Sequence, residues 1–410
     1  MPYPKTLAFV LAGGKGERLF PLTAFRSKPS VPFGGRYRII DFVLSNLVNS
    51  QIYSIYLLVQ YKSQSLIEHV RRNWVLSSVI RDHFITVVPP QMRMGPEWFQ
   101  GTADAVFQNR VIIKELNPDF VLIFGADHIY RMNIKQMIDF HIKSEADVTV
   151  SARPVPIAEA SAFGVIVADS NNRIIGFQEK PLNPTPMSSN PSMAFVSMGN
   201  YIFNRAILLD SLIKAQQNKQ HDFGAHIIPS LVEKGNRVFA YDFAKNEVPG
   251  VSSNEEAGYW RDVGTIKAFA DAHKDILGEK PLFEINNRRW PIHNAGAHIA
   301  STKILSAEIN NSIIADGAVI RDSKISNSVL RSNVNIEDNV IIEDSIIMDN
   351  VTIKSGAKLC RVIIDKFNVI AENETIGYDF EKDRFFCHID NCGIAIVPRG
   401  GTIGRINRQV

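Results

Sequence analysis

The stretch at residues 7–32, LAFVLAGGKGERLFPLTAFRSKPSVP, decides the fold class of the N-terminal part of the chain. Its apolar opening, residues 7–11, is too short for a helix and runs directly into Gly13, Gly14 and Gly16. This pattern is typical of a buried parallel strand that ends in a tight loop. Because glycine carries no Cβ, the backbone N–H groups of such a loop can approach a phosphate closely. The stretch therefore predicts a strand that delivers an anion-binding loop to a sheet edge.

Basic residues surround this loop and supply positive charge for an anion. Lys15, Arg18 and Lys28 all fall within the stretch. The loop is neither the dinucleotide pattern GxGxxG nor a Walker A loop, because Glu17 and Arg18 follow Gly16 where those motifs need other residues. An alternative interpretation is a glycine-rich turn with solvated basic side chains.

Composition bounds the class of protein. A chain of 410 residues is too long for one ordinary core, so we expect two domains. Its 45 basic and 42 acidic residues give a net charge of +3, too slight to predict nucleic acid or membrane partners. Three cysteines without a CxxC predict neither a disulfide framework nor a zinc site, and favour a cytoplasmic location. We expect no signal peptide and no membrane span.

After the loop, helix and strand patterns alternate. Residues 38–48 and 64–74 have helical spacing, whereas residues 55–59 and 85–88 form short apolar runs. This rhythm predicts a parallel sheet with helices on its faces. Ligands of such sheets bind at the carboxyl ends of the strands, where the glycine loop is expected.

The segment GTADAV at residues 101–106 predicts a helix with Thr102 as its cap. Such a helix could point its N-terminal N–H groups at an anionic or polar ligand. An ordinary capped helix explains the same residues equally well.

Two aspartates are candidates for a metal site. An apolar run at residues 120–124 leads to Asp127, and a second carboxylate, Asp262, lies in YWRDVGT before another predicted helix. Carboxylates at strand ends hold Mg²⁺ beside bound phosphates. His128 follows Asp127, but a lone histidine at such a place is more often structural, and we do not assign it to the metal.

Residues 163–167 and 174–181 predict a hairpin that turns at residues 169–173. The hairpin ends in Glu179 and Lys180, which could orient sugar hydroxyls and neutralise a phosphate. The alternative is a surface ion pair contributing under about 1 kcal/mol.

In the C-terminal part of the chain, the spacing of the apolar residues changes. Aliphatic residues recur every six positions, with Asn, Asp, Ser and Gly between them. The recurring residues are Leu330, Ile336, Ile342 and Met348, then Val334, Val340 and Ile346, and in a later frame Val351, Ala357, Ile363, Val369 and Thr375. This period predicts a parallel β-helix. We expect domains at residues 1–277 and 296–410, joined by a linker at residues 278–295.

The motifs LAGGKGERLFPLT with KPSVP, WFQGTADAV, FGADHIYRM, FQEKP, HDFG and WRDVG occur in this order before the six-residue repeats. In this arrangement, which covers residues 7–376, the chain resembles the glucose-1-phosphate adenylyltransferases of bacterial glycogen biosynthesis. The resemblance implies a Rossmann-like α/β nucleotidyltransferase domain with a mostly parallel sheet, followed by a left-handed parallel β-helix. It also implies that ATP and glucose 1-phosphate react with Mg²⁺ to give ADP-glucose and pyrophosphate, and it implies a homotetramer.

The resemblance also assigns roles to residues. Arg18, Lys28 and Asp127 would be catalytic, and Asp127 and Asp262 would hold Mg²⁺. The nucleotide-binding residues would be Leu11, Ala12, Gly13, Gly14, Gln91, Phe99, Gly101 and Thr102. The residues that bind glucose 1-phosphate would be Gly164, Glu179, Lys180, Ser197, Tyr201, Asp222 and Trp260.

Regulation is the least determined feature. Arg26, Arg36, Arg399 and Arg405 are candidates for an anion pocket that binds a metabolite effector, or they are solvated surface residues. Phe25 stands where many bacterial members carry a basic residue that helps to receive a sugar-phosphate activator. Other interpretations are an enzyme that uses another nucleotide or sugar phosphate, a non-catalytic regulatory subunit and, with less support, an acyltransferase built on the β-helix.

Overall fold

Strand β1 lies in the middle of the sheet that organises the N-terminal part of the chain. The computed structural model describes residues 3–76, 79–80, 82–92, 95, 97–295 and 299–403. The strands of this part are β1 Thr6–Ala12, β2 Pro32–Phe33, β3 Tyr37–Arg38, β4 Ser54–Val59, β5 Phe84–Val88, β6 Phe120–Gly125, β7 His128–Tyr130, β8 Val148–Pro156, β9 Gly164–Ala168, β10 Ile174–Glu179, β11 Met193–Asn204, β12 Val238–Asp242 and β13 Trp260–Asp262. The helices are α1 Ile39–Asn49, α2 Gln64–Asn73, α3 Thr102–Gln108, α4 Arg110–Leu116, α5 Ile134–Lys143, α6 Arg205–Gln217, α7 Ile228–Glu233 and α8 Ile266–Lys274.

The large sheet is mixed, with a parallel core. Its strands lie in the order β10, β9, β11, β6, β1, β4 and β5, and β8 joins β11 to β12. The adjacent strands β6, β1, β4 and β5 are parallel to one another, whereas β11, on the other side of β6, runs antiparallel to it. The predicted parallel sheet and the hairpin of β9 and β10 are confirmed.

Alternating side chains of β1 belong to two different cores. Leu7 and Phe9 pack into the cluster on one face of the sheet, and Ala8 and Val10 pack into the cluster on the other. All four residues are fully buried. Successive side chains of a strand point to opposite faces, so a strand covered on both faces is apolar at every position. Among the described residues, no helix is long and apolar enough to cross a bilayer.

The C-terminal part is a coil of short parallel strands. These strands are β14 Lys303–Ile304, β15 Glu308–Asn310, β16 Ile313–Ile314, β17 Val319–Ile320, β18 Ser323–Ser326, β19 Val329–Leu330, β20 Asn335–Ile336, β21 Val340–Glu343, β22 Ile346–Ile347, β23 Thr352–Ile353, β24 Lys358–Cys360, β25 Val362–Ile364, β26 Asn368–Ile370, β27 Thr375–Ile376, β28 His388–Ile389, β29 Ala395–Val397 and β30 Gly401–Ile403, with one short helix, α9 Phe380–Asp383. They form three sheets, in which each strand pairs in parallel with the strand three places later in the chain. At the end of the β-helix, β29 pairs in parallel with β25 and β30 with β26, whereas β28 pairs antiparallel with β29. The predicted parallel β-helix is confirmed.

The predicted six-residue frame slips inside this β-helix. The buried interior residues are Ile336, Ile342, Ile347, Ile353, Leu359, Ile364, Ile370 and Ile376, separated by six, five, six, six, five, six and six positions. A rung in this stretch therefore takes 17 residues, and Ile342 pairs with Leu359 on the next rung, whereas Ile309 and Ile325 of an earlier pair are 16 residues apart. The frame was wrong at Val369 and Thr375, which are only half-buried.

The slip places three other predicted interior residues on the outside of the β-helix. Ile346, Met348 and Ile363 pack with Phe33 and Phe269 of the N-terminal part. They are buried because this face is covered, so their apolar character reflects a contact between the two parts.

The predicted linker packs closely against the N-terminal part. Residues 278–295 contain no helix or strand, but Phe283, Ile285 and Ile292 are buried. Asn49 Nδ2 donates to Pro291 O at 2.9 Å, which fixes the segment to the end of α1.

Candidate functional site

A cleft of about 870 Å³ opens at the carboxyl ends of β1 and β6. It contains the glycine loop on one side and the ends of β10 and β13 on the other. All the predicted substrate and metal residues except Gln91 line it: Leu11, Ala12, Gly13, Gly14, Arg18, Lys28, Phe99, Gly101, Thr102, Asp127, Gly164, Glu179, Lys180, Ser197, Tyr201, Asp222, Trp260 and Asp262.

The glycine loop is open at one position and constrained at another. A Cβ on Gly14 would meet no atom within 4 Å, so the backbone there faces empty space. Gly16 has a φ of +68°, which favours glycine, and its carbonyl accepts a hydrogen bond from Thr23 Oγ1 at 2.9 Å. The loop therefore presents exposed backbone from a fixed turn, as an anion cradle requires.

The two predicted metal carboxylates converge because of a strand pairing. Strand β7 follows Asp127, and it pairs antiparallel with β13 so that His128 lies opposite Asp262. Lys28 Nζ donates to Asp127 Oδ2 at 3.0 Å and to Asp262 Oδ1 at 2.8 Å. Arg18 lies near Asp262, since a Cβ on Gly264 would be 3.0 Å from both Arg18 Nη2 and Asp262 Oδ1.

The charges of this cluster hold one another in the ionised state. Burial of Lys28 opposes its charge, but Asp127 and Asp262 outweigh that effect and raise the pKa of its ammonium group. Burial also opposes the charge of Asp127, yet His128 and Lys28 together hold the pKa of its carboxyl well below the usual range. At neutral pH the site therefore presents an ammonium ion between two carboxylates.

The same residues fit a divalent cation. Asp127, His128 and Asp262 each offer a ligand atom, and these atoms lie within 4.8 Å of one another. The Asp127 and Asp262 side chains are 40% and 27% exposed to the cleft, so a cation can reach them. Two carboxylates at a strand end are the donor set that Mg²⁺ shares with phosphate oxygens. His128 Nδ1 is buried without a hydrogen-bond partner among the described residues. His128 is therefore available as a third metal ligand, which the sequence analysis did not assign.

Polar groups on an aromatic floor form the opposite side of the cleft. Lys180 Nζ lies 3.5 Å from Glu179 Oε1 and is 65% exposed, so its charge is available to a ligand. Burial raises the pKa of Tyr201, which keeps its hydroxyl as a neutral donor. The Trp260 ring packs on His128 with centroids 4.7 Å apart. Hydroxyls, a carboxylate and an aromatic face are the groups that bind a sugar phosphate.

The N-terminus of helix α3 favours the interpretation as an ordinary capped helix, with the cap one residue earlier than predicted. Gly101 is its N-cap and Thr102 its first residue. The N–H groups of Ala103 and Asp104 donate to the carbonyl oxygen of His221 at 2.8 and 3.3 Å. These groups are already paired, so they offer no free anion site.

Two of the predicted nucleotide-binding residues have hydrogen-bond partners within the protein. Gln91 lies outside the cleft lining of the described residues, and its Nε2 donates to Pro89 O at 2.8 Å. Phe99 is held instead by Gln60, whose Oε1 accepts from Phe99 N at 2.7 Å. Gln60 and Tyr61, which line the cleft, were missed by the sequence analysis, although they follow strand β4 directly at the carboxyl end of the sheet.

Comparison with known proteins decides the family. The family model described as nucleotidyl transferase matches residues 7–279, and the model described as GlmU-like, C-terminal hexapeptide matches residues 296–397. A glucose-1-phosphate adenylyltransferase of Thermodesulfovibrio yellowstonii is 69% identical over 396 residues, covering 97% of this chain and 96% of that protein. The chain belongs to the glucose-1-phosphate adenylyltransferase family.

Two further relatives carry the same name. The protein of Photobacterium profundum is 46% identical over 405 residues, with 97% of this chain and 99% of that protein covered. The protein of an Anaeromyxobacter species is 44% identical over 406 residues, with 96% and 98% covered. The family predicted from the ordered motifs is thus confirmed.

The three candidate effector arginines in the described part of this adenylyltransferase family member lie in different environments. Arg26 is 3% exposed, and its Nη2 contacts both carboxylate oxygens of Asp365, at 2.7 and 2.5 Å. The solvated-surface interpretation is therefore wrong for Arg26. Arg36 pairs with Asp316 at an exposed position. Arg399 lies over the ring of an exposed phenylalanine 5.2 Å away, and Arg405 lies outside the described residues. Effector binding by these arginines stays a prediction.

Proposed function

We propose that this chain transfers the adenylyl group of ATP to glucose 1-phosphate and releases pyrophosphate, which supplies ADP-glucose for glycogen biosynthesis. The observation that carries the proposal is the bridge from Lys28 Nζ to Asp127 and Asp262, next to the open backbone of Gly14. This cluster combines the charges that a phosphoryl-transfer site needs.

No protein nucleophile is required for this reaction. A phosphate oxygen of glucose 1-phosphate attacks the α-phosphorus of ATP, a new O–P bond forms, and the bond from the α-phosphorus to the bridging oxygen breaks. The electron pair of that bond leaves with pyrophosphate. The protein contributes by aligning the two phosphates and by neutralising their charge.

Different residues act on the leaving pyrophosphate, on the triphosphate and on the metal ion. Lys28 and Arg18 stabilise the negative charge that develops on the leaving pyrophosphate, and the backbone at Gly13 and Gly14 holds the triphosphate. Mg²⁺ held by Asp127 and Asp262 would supply charge neutralisation between the nucleotide α-phosphate and the sugar phosphate. The buried position of Lys28, 7% exposed, lets the charge act with little solvent screening.

The opposite wall holds the second substrate. Lys180 binds the phosphate of glucose 1-phosphate, with its exposed ammonium close to Glu179. The remaining residues proposed for the glucose are Gly164, Glu179, Ser197, Tyr201, Asp222 and Trp260. Gly164 is required there because a Cβ would lie 2.6 Å from the ring of Phe177.

The domain limits, the oligomer and the regulation are also part of the proposal. The catalytic domain would span residues 1–277, the linker residues 278–295 and the β-helix residues 296–410, with a homotetramer as the assembly. A cytoplasmic location and a metabolite effector at Arg36 and Arg399 complete it, whereas the charge of Arg26 is already neutralised by the buried Asp365.

Pyrophosphate release tests the function. The purified protein is incubated with Mg²⁺, glucose 1-phosphate and either ATP, UTP, GTP or dTTP. We expect pyrophosphate release with ATP and with none of the other three triphosphates. In Asp127→Asn the rate of this release should fall about a thousand-fold or more. The matched control is Asp210→Asn, which removes a carboxylate paired with Lys214 on the surface of α6.

Other outcomes would favour the alternatives. Release with a different triphosphate would indicate another sugar nucleotide. A folded protein that binds glucose 1-phosphate but releases no pyrophosphate would indicate a regulatory subunit. Equal activity in Asp127→Asn and the control would remove Asp127 from the catalytic site.

A further inference from the structure

Thr102 and Asp222 connect the two walls of the cleft. Thr102 begins helix α3 on the nucleotide side, and Asp222 begins the segment 222–227 on the sugar side. Thr102 Oγ1 donates to Asp222 Oδ2 at 2.9 Å and accepts from Phe223 N at 3.1 Å. A side chain from one wall is thus hydrogen-bonded twice to the other.

These bonds use the one proton of the Thr102 hydroxyl and one of its two lone pairs. A threonine hydroxyl has one proton to donate, and in Thr102 that proton goes to Asp222. It therefore has none left for a ring nitrogen of a base. The hydroxyl acts on the sugar wall, although the residue lies in the sequence between Phe99 and α3 on the nucleotide wall.

Asp222 is oriented by two bonds, one at each oxygen. Oδ1 accepts from Ala225 N at 3.0 Å, and Oδ2 accepts from Thr102 Oγ1. Each carboxylate oxygen keeps a lone pair for a further donor. A carboxylate fixed in this way presents acceptors of defined direction to the hydroxyl groups of a sugar.

The segment that carries Asp222 is also wedged between its neighbours. A Cβ on Gly101 would lie 2.3 Å from His221 O, and a Cβ on Gly224 would lie 2.8 Å from Glu179 Oε2. The backbone that carries Asp222 therefore fits closely against its neighbours, and the Asp222 carboxylate is held by Ala225 N at Oδ1 and by Thr102 Oγ1 at Oδ2.

We propose that Thr102 is a positioning residue for the sugar subsite, because its hydroxyl aligns Asp222 for glucose 1-phosphate and does not read the nucleotide base. This inference rests on the proposed function, and it assigns to the sugar a residue that the motif resemblance assigns to the nucleotide.

Thr102→Val tests the inference, because valine keeps the branched shape and removes the hydroxyl. We expect the KM for glucose 1-phosphate to rise about ten-fold and the KM for ATP to change by less than about two-fold. Thr102→Ser keeps the hydroxyl and should restore most of the sugar affinity. Thr185→Val, which removes a threonine hydroxyl outside the cleft lining, is the matched control. Melting temperatures check that all variants are folded.

A double variant separates alignment of Asp222 from a general structural effect. In an Asp222→Ala background, Thr102→Val should raise the KM for glucose 1-phosphate by much less than ten-fold, since the acceptor of the Thr102 hydroxyl is already lost. A rise of the ATP KM alone, an equal rise of both constants, or full additivity of the two changes would overturn the inference. If the wild-type protein forms no ADP-glucose, the proposed function fails first, and the two failures are distinguished.

Discussion

Two buried histidines show how a single residue can couple stability to pH. His273 is 2% exposed, with Nδ1 bonded to Phe269 O at 2.8 Å and Nε2 accepting from Gly34 N at 3.2 Å. Both ring nitrogens are used by the neutral form, and burial lowers the pKa of His273 to about 3. Burial also lowers the pKa of His141, to about 4.

These histidines should make the protein less stable in mild acid. The ordinary histidine pKa is about 6.5, so between that pH and the folded-state pKa the unfolded chain binds more protons than the folded chain. Stability is therefore lost as the pH falls below about 6.5, by up to about 1.4 kcal/mol per pH unit for each histidine. Carboxylates with lowered pKa values contribute mainly below about pH 4.5. Melting temperatures from about pH 7 to pH 5 measure the effect.

A variant isolates one histidine. His273→Gln should be less stable at neutral pH but should lose less stability on acidification, because one proton no longer binds preferentially to the unfolded chain. His388→Gln, which makes the same substitution at an exposed position, is the matched control. Identical pH profiles for all three proteins would contradict the assignment.

At this scale the sequence predicted residues whose position follows from their own strand. Asp127 follows an apolar run, so its place at the carboxyl end of the sheet could be inferred, whereas Asp262 follows Tyr-Trp-Arg and reaches the same site through the pairing of β13 with β7. The pairing of Thr102 with Asp222 could not, because the partners are 120 positions apart and meet only through the fold. The same limit explains the misplaced Gln91, whose amide is satisfied locally by Pro89.

At the scale of the elements, the glycine loop that follows β1 allows a test that separates ATP binding from folding stability. Gly14→Ala should change stability by less than about 0.5 kcal/mol, since the new methyl meets no protein atom within 4 Å. The methyl should instead occupy space where the triphosphate approaches the backbone. We expect the KM for ATP to rise about ten-fold or more, measured by pyrophosphate release.

A second glycine gives the opposite pattern. Gly235, remote from the cleft, also has free space around it, but its φ is +76°. Gly235→Ala should lower stability by about 1 kcal/mol and leave the ATP KM unchanged. If Gly14→Ala binds ATP normally while remaining fully stable, the loop is not the triphosphate cradle.

The β-helix shows what periodicity can and cannot reveal about an element. Its six-residue period was readable because each sheet buries one aliphatic residue per pass. The shorter passes, such as Ile342 to Ile347, could not be placed, since Met348 is as apolar as an interior residue. Only the packing of Met348 on the N-terminal part explains its character.

At the scale of the whole molecule, two ion pairs join the N-terminal part to the β-helix in contrasting environments. Arg26 and Asp365 are 3% and 1% exposed, whereas the side chains of Arg36 and Asp316 are both 45% exposed. Breaking a buried pair leaves an uncompensated charge, but an exposed pair is replaced by water.

The two pairs should therefore differ strongly on mutation. Arg26→Met should destabilise the protein by about 3–5 kcal/mol, and Arg36→Gln by less than about 1 kcal/mol, measured by urea denaturation. In the double variant Arg26→Met, Asp365→Leu much of the stability should return, because neither charge is left buried. Similar losses for Arg26→Met and Arg36→Gln would show that burial does not govern the contact.

The 17-residue rung has a consequence for how the length of this protein can change. Each rung contacts only the rungs above and below it, so a whole rung can be gained or lost as a unit that adds or removes about 4.8 Å. An insertion of one residue within a strand, by contrast, turns interior side chains toward water, although the turn between β20 and β21 holds one residue more than the turn between β17 and β18. Because the rungs with Ile346, Met348 and Ile363 are covered by the N-terminal part, we expect related chains to vary in whole-rung steps, at the ends of the β-helix.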